Sequence, residues 1–75
     1  MDWKSGRRTE QARFMARLLR CAADLAERGV EALAAAERAA AHNDSREAGQ
    51  RRGEGNRLLA EARRRAYEAL AGEAR

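Results

Sequence analysis

The chain of 75 residues has no proline and no isoleucine, and only one each of cysteine, histidine, tryptophan, tyrosine, phenylalanine and valine. Without proline, nothing along the chain stops a helix by removing a backbone N–H. A single cysteine excludes an intrachain disulfide, and one cysteine with one histidine is too few for a structural zinc site. A reducing, cytoplasmic setting is therefore the default expectation, and neither metal nor cofactor is expected. The longest unbroken apolar run is Ala32 to Ala36. Five residues are too few for a membrane span or a signal-peptide core. Strong core formers are equally sparse: seven Leu, one Val and one Phe in 75 residues. In so short a chain a single core seldom supplies more than ~3–5 kcal/mol, so outside help with stability is expected.

What is present is a helical alphabet. Ala (19), Arg (15), Glu (9), Leu (7) and Lys (1) make up 51 residues. That profile belongs to long helices and coiled coils. Arginine outnumbers lysine fifteen to one beside abundant alanine, a bias that fits a GC-rich, bacterial source.

The stretch from Thr9 to Ala41 organises the rest. Phe14, Met15, Leu18, Leu19, Ala22, Leu25, Ala26, Val30 and Leu33 recur by threes and fours, which places them on one broad side of a helix. Residues 1–8 read as a basic arm broken at Gly6, with Thr9 as N-cap and Ser5 as a competing start. Gly29 lies inside the pattern and marks a close helix contact. Beyond Leu33 the helix turns almost pure alanine, and it should end near His42 and Asn43, since Asn tolerates the left-handed conformation. Asp44 then restarts a helix, with Glu47 at the spacing of a capping box. A turn over 43–45 joins helix one (9–42) to helix two (45–72), and so short a turn makes them antiparallel neighbours.

Helix two carries a seven-residue order: Ala48, Gly55, Ala62 and Ala69 in one row, Leu59 and Ala66 beside it, and Glu47, Glu54, Glu61 and Glu68 alongside. Facing residues should sum to about 87 for a turn centred on Asn43 and Asp44, with the large apolar residues meeting at the open end and the small ones at the turn. The alternative is a loop over Gly49 to Gly55 and a shorter final helix from Asn56. The apolar side of helix one is wider than one narrow partner covers. Self-association into a four-helix bundle follows as an expectation, through Phe14, Leu18, Leu19, Leu25, Val30, Leu33, Leu58, Leu59 and Leu70.

Little in the chain points to chemistry. His42 reads as a turn residue, Cys21 as a small core residue, and Ser5, Thr9 and Ser45 as turn and cap residues with no base patterned to them. The glycines of helix two form no phosphate-binding motif. The charge distribution says more. Residues 1–20 carry Lys4, Arg7, Arg8, Arg13, Arg17 and Arg20 against Asp2 and Glu10, which is the whole net charge of +4; the other 55 residues balance. With Trp3, this basic patch is a candidate contact for nucleic acid or an acidic partner, unless Glu68 and Glu73 of helix two neutralise it. The fold expected is an all-α antiparallel helical hairpin that dimerises. The function expected is a non-enzymatic interaction or regulatory subunit, partnered by itself and by a larger protein. The alternative is a nucleic-acid-binding accessory protein. Membrane binding is disfavoured, because an alanine-rich face inserts weakly.

Overall fold

The computed structural model describes residues 3–74, with side chains described over 7–71. It contains two helices, α1 (Trp3–Ala41) and α2 (Ser45–Ala74), packed against each other as a hairpin. The molecule is a rod. Its radius of gyration is 17.6 Å, against about 11 Å for a compact domain of this length.

The turn explains the antiparallel course. Asn43 adopts φ of 60°, the left-handed value that Asn accepts more readily than other non-glycine residues. The Asp44 N–H donates to the Ala39 carbonyl at 2.9 Å and the Asn43 N–H to the Ala40 carbonyl at 3.0 Å, the paired bonds of a Schellman ending. Asp44 Oδ1 in turn accepts from the Glu47 N–H at 3.0 Å, capping α2. Only half of the expected capping box forms. The Asp44 N–H is already committed to Ala39, and Glu47 Oε1 accepts from Arg51 Nε at 2.8 Å instead.

Helix α1 does not begin at Thr9. It runs through Thr9 and Gly6 from Trp3, so the expected arm over 1–8 is helical from residue 3. Glycine raises the cost of a helix by about 1 kcal/mol without ending it, and no proline intervenes. Likewise α2 passes unbroken through Gly49, Gly53 and Gly55, and the loop alternative is set aside.

The core is made of small residues along the whole hairpin. Ala22, Ala32, Ala36, Ala48, Ala62 and Ala69 are its buried apolar side chains, with Gly29 and Gly55 buried between them. Small residues thus face each other far from the turn as well as near it, which corrects the expected division into a small end and a large end. The glycines mark the crossing. A methyl added to Gly29 would stand 2.9 Å from Leu59 Cγ and 3.2 Å from the Gly55 carbonyl oxygen, and one on Gly55 would stand 2.8 Å from Leu33 Cγ and 3.0 Å from the Gly29 carbonyl oxygen. Each leucine fills the space over the opposite glycine. These pairs sum to 84 and 88, bracketing the register inferred from the turn.

Candidate functional site

Close approach of two glycine- and alanine-lined backbones leaves the larger side chains outside. Among the described residues no large side chain is fully buried, and Phe14 (57% exposed), Leu19 (42%), Val30 (60%), Tyr67 (69%) and Leu70 (58%) face outward. The residues expected to support self-association therefore divide. Leu18, Leu25, Leu33, Leu58 and Leu59 are half-buried within the hairpin, while Phe14, Leu19, Val30 and Leu70 are exposed. Cys21 is exposed too, not a core residue. It lies seven residues from both Phe14 and Arg28, on a flank of α1 that α2 is too narrow to reach.

Helix α1 has two apolar rows, not one. The first, Met15, Leu18, Ala22, Leu25, Gly29, Ala32, Ala36 and Ala39, contains the buried positions and packs on α2. The second steps by four and three from Ala12 through Ala16, Leu19, Ala23, Ala26 and Val30 to Leu33, again the spacing of a coiled-coil contact. No charged residue interrupts it before Glu37. Ala12, Leu19, Ala23 and Val30 of this row are exposed. Leu33, which covers Gly55, joins the two rows. On α2 the matching side runs through Leu59 to Leu70 with Tyr67 at its rim, but it also carries Arg52, Asn56 and Arg63. An apolar face centred on α1 results on this side, and Phe14 is exposed on the other.

The opposite flank of α2 is charged and internally paired. Arg51 Nε lies 2.8 Å from Glu47 Oε1 and Arg51 Nη1 lies 3.6 Å from Glu54 Oε2. Glu61 pairs with Arg64, and its other oxygen lies 3.2 Å from Arg65 Nε, close enough for an ion pair but without hydrogen-bond geometry. The hydrogen bond from Arg64 holds the Glu61 carboxyl below the usual carboxylate range; partial burial opposes this, and the charges of Arg64 and Arg65 reinforce it.

The basic residues are not gathered into one site. Arg7, Arg8 and Arg17 line an open groove of about 890 Å³ at the free end of the hairpin, together with Phe14, Glu10 and Glu68, so two carboxylates share it with three guanidinium groups. The Arg17 guanidinium lies 5.9 Å from the centre of the Phe14 ring, a cation–π contact worth roughly 0.5–1 kcal/mol at an exposed position. Arg13 and Arg20 fall outside the groove. Among the described residues Arg13, Arg17 and Arg20 form no ion pair, with Glu68 or otherwise. Trp3, Lys4 and Glu73 lie outside the residues whose side chains are described.

No group of three or more His, Cys, Asp or Glu among the described residues is placed to hold a metal ion, and no helix is long and apolar enough to cross a membrane. The sequence pattern does not single out Tyr67, and it shows the excess width of the α1 apolar side, with Leu19 and Val30 at one edge, without dividing that side into two rows. One broad stripe and two adjacent seven-residue rows look alike in sequence until a partner covers one of them. The row Ala22, Gly29, Ala36 against Ala48, Gly55, Ala62 was the available signal. Compared with known proteins, the chain matches no family model, no curated protein and no solved structure.

Proposed function

We propose that this chain is a non-enzymatic interaction or regulatory subunit that acts as a homodimer, two hairpins closing into a four-helix bundle that in turn engages a larger partner. One observation carries the reading. The hairpin exposes 6196 Å², whereas a compact monomer of 8.3 kDa exposes about 4,600 Å². The excess of roughly 1,600 Å² is twice what each partner contributes to a standard interface. Part of it is apolar: Leu19 and Val30 of the second α1 row, with Tyr67 and Leu70 of α2, stand exposed on one face, while Phe14 is exposed on the other flank of α1. A second copy hides that face with no new sequence required. The charged flank, already paired within α2, suits the water-facing side.

Light scattering at micromolar concentration is the test. The expected mass is twice that of the chain, 8.3 kDa. A monomer that keeps its full helicity removes the proposal.

A second reading, nucleic-acid binding, draws on the basic side of α1, where Arg13, Arg17 and Arg20 have no carboxylate partner among the described residues; α2 pairs Arg51, Arg64 and Arg65 but leaves Arg46, Arg52, Arg57 and Arg63 without one. Unpaired guanidinium groups on one helix side release counterions from a phosphate backbone. Duplex binding that weakens steeply with salt and is lost in an Arg13→Ala, Arg17→Ala, Arg20→Ala triple variant supports this reading. Absence of binding at low salt ends it.

A further inference from the structure

Resting on the homodimer reading, we infer that the two copies meet through α1 against α1, antiparallel, about a two-fold axis at Ala23. Three observations converge on this arrangement. First, the uncovered row belongs to α1; the matching side of α2 is interrupted by Arg52, Asn56 and Arg63, so α2 sits at the rim.

Second, the row is complementary to itself when reversed. With Ala23 opposite Ala23, Val30 falls opposite Ala16, and the residue of the row nearest Leu19 is Ala26, one helix rise away. Each large exposed side chain meets an alanine, the same large-against-small fit that the hairpin uses where Leu33 and Leu59 cover glycines. A parallel pair places Leu19 on Leu19 and Val30 on Val30, leaving the alanines to face each other across a gap.

Third, the charges bordering the row match in the same register. Arg20 and Glu27 occupy one flanking position a heptad apart, and neither forms an ion pair among the described residues of its own chain. Reversal brings Arg20 of each copy beside Glu27 of the other, giving two reciprocal pairs. In a parallel pair that flank points at the α2 side of the other copy.

Cysteine cross-linking in a Cys21→Ser background of the full chain tests the arrangement. Ala23→Cys is expected to form a disulfide-linked dimer on mild oxidation, since two residues on the axis fall within disulfide range. Val30→Cys is expected not to, because the two positions are separated by fourteen residues of helix rise, about 21 Å. A charge swap provides an independent readout. Arg20→Glu and Glu27→Arg should each shift the population towards monomer, and the double variant should restore the dimer. If Val30→Cys links as readily as Ala23→Cys, the pairing is parallel and the inference is wrong. If neither links and the charge swap is silent while the mass stays dimeric, another surface is used and the inference is again wrong, although the homodimer reading survives. A monomeric wild-type chain removes both.

Discussion

Four glycines of α2 and α1 carry the same side chain and opposite consequences. Gly49 and Gly53 have open space where a methyl would go, and their φ values are not positive. Replacing either with alanine should stabilise the protein by about 0.5–1 kcal/mol, the helix-propensity gain alone. Gly29 and Gly55 lie at the crossing, where a methyl would stand under 3.0 Å from a leucine Cγ and close to a carbonyl oxygen of the other helix. Neither neighbour is the free end of a flexible chain. Gly29→Ala or Gly55→Ala should therefore destabilise by about 1–3 kcal/mol through overpacking, despite the better propensity. Urea denaturation of the four single variants checks the contrast, and the same sign at all four positions would refute the crossing. In the sequence Gly29 already marks a close contact, and the heptad row Ala48, Gly55, Ala62 and Ala69 sets Gly55 apart from Gly49 and Gly53. The glycines in question differ only in which side of the helix they occupy relative to α1.

Within α2, the exposed pairs around Glu61 make stability depend on acid. Its carboxyl titrates lower in the folded chain than in the unfolded one, chiefly through the hydrogen bond from Arg64. The unfolded chain thus takes up the proton first as pH falls. The contribution is complete above the ordinary glutamate pKa of about 4.3 and disappears as pH drops through the lower folded value. Wild type should melt at a higher temperature than Glu61→Gln at neutral pH, and the gap should close in acid. Salt should narrow it as well, since these pairs are solvent-facing. A gap that persists at low pH would assign the effect to packing instead. The glutamate row itself was legible in the sequence as a heptad register. The spacing also put Glu61 within reach of Arg64 or Arg65, as found, and Glu54 within reach of Arg57. That Glu61 would serve both arginines, that Glu54 would turn to Arg51 and that Glu47 would leave the cap for Arg51 was not legible, because rotamer choice among several reachable cations depends on local geometry.

For the whole rod, stability is inseparable from association. A hairpin whose buried apolar side chains are alanines gains only about 0.8 kcal/mol per buried methyl, where a buried leucine gives roughly 1.5–3. If a second copy covers the α1 face, the melting temperature should rise with protein concentration, because the dimer is favoured by mass action. Val30→Asp separates this from an intrinsically stable monomer. Val30 is already 60% exposed in the hairpin, so in a lone chain the change should alter stability by no more than about 0.5 kcal/mol. In a dimer it buries a carboxylate and should shift the mass to that of one chain. Unaltered mass and a concentration-independent melt would contradict the proposed assembly.

Local chemistry alone set the two helices, their turn and their register. Asn43 and Asp44 write a helix ending and a helix start into adjacent residues, and alanine at seven-residue spacing requires no distant partner to be recognised. Periodicity, however, reports only that a side of a helix is apolar. Which part of that side meets α2, and which part is left to water, depends on how near the two backbones come. The glycine crossing at 29 and 55 draws them so close that the hairpin covers one row of α1 and leaves Leu19, Ala23 and Val30 of the next exposed.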